Sequence, residues 1–423
     1  MSKKTGVVVA FLGLCALSLF LASCGSSSSR PSGLLYVLSQ AESNVSSYAI
    51  DLSNGNLSLI TSNMPSTGGL PLSISVDPSG ATAFVLNQGS IAGYNVHSDG
   101  SLSAVQGSGT PLTQTALAMT RDVAGQFIFV ISPGTLPPPG DCSNQPVLDQ
   151  NCPSIAVFST KPGSTDVTLT GNVCPGTTTP CPLFLNRIPT ALAVLTFTST
   201  SGQAQTLLFV TSNVDLTALH NDNELSVYSV DSSGNLTEQA NSPYTTEVNP
   251  RSVIAVDTNP VGLNTGGVFV YVGNQGAVTG SVSTFQLCTQ VNQVCSQTEV
   301  NAQQLVVTGS PASIGINPTA MIADPTNSFL YIACTGSNSV FGFHMTTGTG
   351  ELQSLTPGSR STGGSPVALA MHPNYNAGAE FLFVSNNTGS SVTGFSVAVT
   401  TGALGNPNTV LFPPGSPSGI AGR

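Results

Sequence analysis

Short apolar segments of one form recur along the whole chain. Each has six residues, is rich in Leu, Val, Phe and Tyr, and ends on a small or polar residue or a cysteine. Seven occur, at Leu34–Ser39, Thr82–Asn87, Phe127–Ser132, Leu207–Ser212, Phe269–Asn274, Phe329–Cys334 and Phe381–Asn386. A continuous apolar run of this length, bounded by turn residues, predicts a β-strand.

Three further strands complete each repeat. An alternating strand centred on an aromatic residue follows every apolar segment, at Tyr48, Tyr94, Phe158, Tyr228, Phe285, Phe343 and Phe395. An Ala-, Val- or Ile-rich strand precedes six of the seven segments, mostly just after a proline, and begins at Leu72, Ala116, Ala191, Ser252, Thr319 and Val367. A turn and a short fourth strand follow in most copies, as at Gly234-Asn235-Leu236. Each repeat therefore predicts a four-stranded antiparallel meander.

The first repeat lacks its Ala-rich strand, and the missing strand stands at the other end of the chain, at Pro417–Ala421. Four-stranded units repeated seven times predict an all-β fold, a seven-bladed β-propeller of four-stranded antiparallel blades. The C-terminal strand is expected to complete blade 1 and close the ring, which removes an open sheet edge. A β-solenoid is the alternative, but its repeats are shorter and need no displaced strand.

The N-terminus has the pattern of an export signal. Lys3 and Lys4 precede an apolar run from Val7 to Ala22, which is short for a membrane-spanning helix. The sequence Leu21-Ala22-Ser23-Cys24 resembles the lipobox of bacterial lipoproteins, which implies cleavage before Cys24 and lipidation of that residue. An ordinary signal peptide with a chance cysteine is the alternative. We therefore expect a signal peptide at 1–23, a Ser-rich tether at 24–33 and a single propeller domain at 34–423.

The remaining cysteines favour an oxidising compartment. Six of them form three close pairs in polar, turn-rich stretches: Cys142 with Cys152, Cys174 with Cys181, and Cys288 with Cys295. These spacings do not fit a metal site, whereas exported chains keep disulfides. Cys334 ends an apolar strand and is expected to be a buried, inert thiol. The predicted location is the bacterial cell envelope, on the periplasmic or cell-surface side, with the membrane as a partner through Cys24.

Composition excludes several partners. Only 7% of the 423 residues are charged, and nine Lys and Arg stand against nineteen Asp and Glu. Nine scattered basic residues cannot neutralise a run of phosphates, so we expect no nucleic-acid partner. Loss of residues 1–23 would remove Lys3 and Lys4 and no acid, and would change the net charge from −10 to −12. The chain carries no phosphate loop, nucleophile elbow or metal motif, so no cofactor and no metal are predicted. We expect the protein to be a monomer.

The repeats resemble those of a known family. The form Pro-x-Ala-x-Ala-x-Asp-Pro, followed by an aromatic strand, is clearest at Pro318–Pro325 and Phe329–Ala333. It is similar to the lactonase-type seven-bladed propellers, which include 6-phosphogluconolactonases, and to YVTN surface repeats. The resemblance implies a site on the top face near the axis, where the lactonases gather a His, an Arg and carboxylates. Here Arg251 occupies the slot in which relatives place a His, and the loops after the second strands carry amides in place of carboxylates.

Few residues of the sequence could act as catalytic or ligand-binding groups at the predicted top face. Lactone hydrolysis needs a base for water and a donor for the developing oxyanion. The candidates are Arg251 and Arg187, at inner-strand entries, and His220, Asp222 and Glu224, in a long loop of the fourth repeat. The two arginines suit a carboxylate or phosphate, or else pair with a nearby acid. The loop that carries His220, Asp222 and Glu224 is either an acid–base cluster or a solvated polar loop. Structural roles are expected for the other three histidines, His97, His344 and His372.

Two functions follow from these observations. The favoured one is a membrane-anchored extracytoplasmic propeller that binds a small molecule, a glycan or a protein at its top face without catalysis. The alternative is a lactonase-like hydrolase acting on a sugar or other lactone, related to the 6-phosphogluconolactonases. A surface-layer or adhesion protein is a third class, against which a single complete ring argues.

Overall fold

The structure is a computed structural model, and most of it consists of seven antiparallel sheets, each built on a path of four strands. It describes residues 33–61, 64–105, 109–134, 142, 152–174, 177–199, 202–216, 222–259, 266–276, 278–372, 380–411 and 415–423. The predicted signal peptide and most of the tether, Cys24 included, lie outside the described residues.

Each sheet is one blade, and its innermost strand lines the axis. The inner strands of blades 1 to 7 are β32 (Pro417–Gly422), β4 (Pro71–Val76), β9 (Ala118–Arg121), β14 (Arg187–Thr198), β19 (Pro250–Asp257), β24 (Pro318–Ala323) and β28 (Pro366–Met371). The second strands are β1 (Leu34–Ser39), β5 (Thr82–Asn87), β10 (Phe127–Ser132), β15 (Ala204–Asp215), β20 (Val268–Asn274), β25 (Phe329–Cys334) and β29 (Glu380–Asn386). Inner strands start at one end of the ring, here called the top face, and end at the bottom face.

The outer strands complete each blade. Third strands are β2 (Asn44–Ile50), β6 (Ser90–Val96), β11 (Ser154–Ser159), β16 (Glu224–Val230), β21 (Gly280–Leu287), β26 (Ser339–Met345) and β30 (Ser391–Val397). Fourth strands are β3 (Leu57–Leu59), β7 (Leu102–Ala104), β12 (Thr168–Thr170), β17 (Leu236–Glu238), β22 (Leu305–Val307), β27 (Leu352–Ser361) and β31 (Asn408–Leu411). In blades 2 to 5 a short extra strand also pairs with the third strand: β8 (Thr110–Pro111), β13 (Leu183–Phe184), β18 (Tyr244–Thr245) and β23 (Ala312–Ile314).

The two ends of the chain close the ring, as the displaced strand predicts. β32 pairs antiparallel with β1, and Val37 lies opposite Ile420. The backbone N–H of Leu34 donates to the carbonyl of Arg423 at 2.9 Å, and the N–H of Arg423 donates back to Leu34 at 2.9 Å. Blade 1 is therefore built from both termini of the propeller, and β1 has a hydrogen-bonded neighbour on each side.

The core is divided among the seven seams, where a seam is the interface between neighbouring blades. Seven hydrophobic clusters each combine residues of two adjacent blades. In β1, Tyr36 packs toward blade 2 while Leu35 and Val37 pack toward blade 7. Because successive side chains of a strand point to opposite faces, a second strand with a neighbour on each side must be apolar throughout. This explains the continuous apolar segments of the sequence.

The three predicted cysteine pairs are joined as disulfides, each within one loop. Such bonds are typical of an oxidising, extracytoplasmic compartment. Cys288–Cys295 stands beside the single described α-helix, α1 (Gln297–Ala302), which Ser296 caps. A 3₁₀ turn at Thr335–Ser337 completes the regular elements. Among the described residues, no helix is long and apolar enough to cross a membrane.

Candidate functional site

A β-bulge near the start of six of the seven inner strands places one unpaired residue of each of those blades beside the axis. In β19, Pro250 lies opposite Asn274 and Ser252 lies opposite Gly273, so Arg251 is an extra, unpaired residue. The same shift leaves Leu72, Thr190, Thr319, Val367 and Ser418 unpaired in their blades. Bulges commonly re-aim a side chain beside a functional site. The slot that follows each proline in the sequence is therefore the bulge position.

The other five bulge residues are either apolar or donate a hydrogen bond to the neighbouring blade. The hydroxyl of Thr190 donates to the Pro250 carbonyl at 2.7 Å, and Thr319 donates to the Pro366 carbonyl at 2.9 Å. Ser418 donates in the same way to Pro71 of blade 2, at 2.8 Å. These hydroxyls bridge neighbouring blades through backbone oxygens, and Arg251 is the one charged residue among the six bulge positions.

Arg251 is exposed at the top face and held by a chain of amides. Its Nε donates to Oε1 of Gln275 at 3.2 Å, and Nδ2 of Asn249 donates to the same oxygen at 2.8 Å. Asn213 in turn donates to Oδ1 of Asn249 at 3.0 Å. Asn249 has a φ of 54°, a left-handed conformation that asparagine tolerates better than most residues. Gln275 stands in one of the amide loops that the sequence singles out, but its contact with Arg251 was not predicted.

Arg251 opens into a cavity of about 460 Å³, here called the axial mouth. The mouth is lined by Leu117, Pro133, Ile188, Pro189, Thr190, Asn213, Arg251, Gln275, Asn317 and Thr319. Below it, a second cavity of about 380 Å³ runs between the inner strands of all seven blades, and Arg251 borders both. An apolar wall, several amides and one guanidinium suit a small molecule with an anionic group.

Arg187, the second predicted arginine, has a different environment. Its Nε lies 2.6 Å from Oε2 of Glu224, and its Nη1 lies 3.3 Å from Oε1 of Glu238. Burial raises the pKa of Glu224; Arg187 opposes this shift, and the charges of Asp222 and Asp215 add to it. Arg187 is therefore compensated by two carboxylates and does not line the axial mouth. Of the two roles that the sequence allows for this arginine, binding an anionic ligand or pairing with a nearby acid, the structure shows the pairing.

The proposed acid–base loop is described only in part. His220 lies outside the described residues. Asp222 is half-buried, and Glu224 begins β16 with its carboxylate on Arg187. Neither acid lines the axial mouth. Within the described ranges, no group of three or more His, Cys, Asp or Glu is arranged to hold a metal ion.

The three histidines that the structure describes, and the one cysteine in its described ranges that is not in a disulfide, lie away from the mouth. His97 contacts the Ser103 hydroxyl at 2.8 Å, and the ring of His344 packs edge-on against Phe329. His372 is fully buried at the end of β28, next to Gly33. Cys334 is also buried, and burial raises the pKa of its thiol to about 12. A thiol with such a pKa is an inert nucleophile at neutral pH.

Solved structures of the same fold exist, although no family model and no curated protein matches the chain. The periplasmic gluconolactonase of Pseudomonas aeruginosa superposes with a TM-score of 0.60 at 17% identity, over 92% of this chain and 98% of that one. A putative 6-phosphogluconolactonase of Bacteroides fragilis gives 0.57 at 15% identity over the same shares. A protein from Lactobacillus plantarum gives 0.61 at 16%, also over those shares. The chain thus has the seven-bladed fold of the 6-phosphogluconolactonase-like propellers.

Proposed function

We propose that the protein is an extracytoplasmic lipoprotein that binds a small molecule in its axial mouth and does not transform it. The observation that carries this proposal is the mouth itself, a cavity of about 460 Å³ in which Arg251 is the one charged residue of the described lining. The disulfides support the compartment, and the lipobox-like segment ending at Cys24 supports the anchor. A cavity of this volume suits a small molecule better than a protein or a long glycan.

The chemistry of the lining supports binding over hydrolysis. Attack of water on a lactone needs a base within hydrogen-bond reach of that water. No Asp, Glu or His stands among the described residues that line the mouth. The amides and hydroxyls there can orient a ligand but cannot accept a proton at neutral pH. The alternative is a lactonase-like hydrolase, and it rests on the fold shared with the solved lactonases.

One experiment separates the two functions. The full chain, purified in detergent with its disulfides intact, is assayed against sugar and aryl lactones, 6-phosphogluconolactone included. In parallel, sugars and sugar acids are screened for a ligand that raises the melting temperature. We expect no turnover above background, and stabilisation by a ligand that is lost in Leu117→Trp, a variant that fills the mouth. Turnover that falls in Arg251→Ala would establish the hydrolase instead.

A further inference from the structure

We infer that the ligand of the axial mouth is a monocarboxylate of sugar-acid size, held end-on by the two terminal nitrogens of Arg251. This inference rests on the proposed function and names the chemical class of its ligand. The Nε of Arg251 is already bonded to Oε1 of Gln275. Arg251 forms no ion pair with any described residue, so Nη1 and Nη2 remain to meet an anion. Two parallel N–H groups match the two oxygens of a carboxylate.

The charge of the mouth favours a carboxylate over a phosphate. Arg251 supplies one positive charge, and no second cation lines the described cavity. A carboxylate carries one negative charge and is neutralised by a single guanidinium. A phosphate ester carries between about −1.5 and −2 at neutral pH, so part of its charge would stay uncompensated. The chain has an excess of ten acidic side chains, which makes that remainder unfavourable.

The other polar and apolar residues that line the mouth indicate what the rest of the ligand should look like. The hydroxyls of Thr190 and Thr319 and the amide nitrogen of Asn213 already donate to protein oxygens. The side-chain amide groups of Gln275 and Asn317 have no acceptor among the described residues, so both can donate to ligand oxygens. Leu117 and Ile188 also line the mouth and can cover a carbon skeleton. A polyhydroxylated acid of about six carbons would meet both the amide donors and the apolar side chains.

The test compares three six-carbon sugar derivatives that differ in the group available to meet Arg251. Gluconate carries the carboxylate, gluconamide replaces it by a neutral amide, and glucose 6-phosphate carries a phosphate without a carboxylate. Their affinities for the full chain in detergent are measured by calorimetry. We expect gluconate to bind best and Arg251→Gln to weaken it about 10- to 100-fold, as for a charge-assisted hydrogen-bonded pair. Gluconamide affinity should be unchanged by that variant.

Two matched variants complete the test. Arg251→Lys keeps the charge but loses the planar fork, so its gluconate affinity should fall between wild type and Arg251→Gln. Lys161→Gln removes an exposed cation of the bottom face and should leave every affinity unchanged. Equal binding of gluconate and gluconamide, or tighter binding of glucose 6-phosphate, would overturn the carboxylate assignment and leave the binding function in place. Binding of none of the three to the folded chain would overturn the carboxylate assignment, whereas the binding function itself fails only if the wider ligand screen with Leu117→Trp also finds nothing.

Discussion

The hydroxyl of Tyr331 in blade 6 donates a 2.7 Å hydrogen bond to the carbonyl of Gly402 in blade 7, across the seam that separates them. The same bond recurs from Tyr36 to Gly100 at 3.1 Å and from Tyr271 to Gly350 at 2.9 Å. All three tyrosines are buried in second strands, and burial raises the pKa of Tyr271 and Tyr331. Each bond gives a buried phenol an acceptor and a turn carbonyl a donor inside a seam.

Loss of this hydroxyl should weaken the seam. Tyr331→Phe keeps the ring and leaves the Gly402 carbonyl without its donor, so we expect the free energy of unfolding to fall by about 1 kcal/mol. Urea-induced unfolding would measure the change. Phe383 holds the same strand position in blade 7 without a hydroxyl, so Phe383→Leu serves as a packing control. An unchanged stability of Tyr331→Phe would show that the bond contributes nothing net.

The glycine that accepts this bond is required for a second reason. Gly402 has a φ of +69°, and a Cβ added there would lie 2.3 Å from Cδ1 of Phe329. Gly402→Ala should therefore cost more than Tyr331→Phe, because it adds backbone strain to a steric clash. Gly163 also has a positive φ, but its surroundings are open, so Gly163→Ala isolates the backbone contribution. Equal losses at the two glycines would contradict the clash.

A buried acid predicts a pH dependence of stability. Glu380 is 1% exposed, and neither carboxylate oxygen has a hydrogen-bond partner among the described residues. Burial, with a smaller contribution from Asp324, raises the pKa of Glu380 to about 7 from its ordinary value of 4.5. Between these two values the folded chain holds a proton that the unfolded chain has released. The free energy of unfolding should therefore fall as the pH rises from about 4.5 through about 7.

Glu380→Gln mimics the protonated acid and should remove this dependence. We expect the variant to be more stable than wild type at pH 8 and similar to it at pH 4, as measured by chemical unfolding at each pH. Glu351 is an exposed acid, so Glu351→Gln should leave the wild-type profile unchanged. Wild-type stability that stays level or rises between pH 5 and pH 8, with no gain at pH 8 from Glu380→Gln, would contradict the prediction.

Ring closure by the chain ends gives another prediction. Removal of residues 417–423 takes away β32 and leaves β1 as an open edge, so we expect a large loss of stability together with self-association. Unfolding curves and light scattering would measure the two effects. Ile420→Val keeps the strand, trims one methylene and should cost about 0.5–1.5 kcal/mol. A truncated chain that stays monomeric and stable would contradict the role of β32.

The sequence predicted the fold because propeller blades repeat a local pattern. Apolar segments such as Phe329–Cys334 coincide with second strands, and the displaced segment at Pro417 is the closing strand. Strand ends were less predictable, since β15 runs from Ala204 to Asp215 where the pattern marks only Leu207–Ser212. The strand is longer because its polar ends still pair with β14.

The candidate site was only partly predictable, because its contacts join distant positions. Proline marks the entry of six of the seven inner strands, so the place of Arg251 could be predicted from the sequence. Arg187 occupies a similar place, but its partner Glu238 stands 51 residues away and belongs to a fourth strand. The amide chain from Asn213 to Gln275 also joins separate loops. Side-chain pairing across a blade depends on register and loop length, which the repeat pattern does not specify.

The topology also predicts how an anchored chain would face the membrane. Leu34 begins β1 at the bottom face, where its backbone is bonded to Arg423. Cys24 lies nine residues before Gly33, so a lipid on Cys24 would hold that face within about 30 Å of the bilayer, at about 3.3–3.6 Å per extended residue. Arg251 opens at the top face, so the mouth should point away from the membrane and receive water-soluble ligands.

Two exposed valines allow this orientation to be measured. Val123 follows β9 at the bottom face and is 72% exposed, while Val248 precedes β19 at the top face and is 60% exposed. Each valine is changed to Cys in the full chain and labelled with a fluorophore. The labelled protein is then placed in liposomes that contain a quencher on the lipid headgroups. Cys334 is buried and should not react with the label. We expect stronger quenching at Val123→Cys than at Val248→Cys, and none for either label when Cys24→Ser removes the anchor. Equal quenching at both faces of the anchored chain would show that the tether does not orient the ring, and binding retained in Cys24→Ser would show that the lipid is not the anchor.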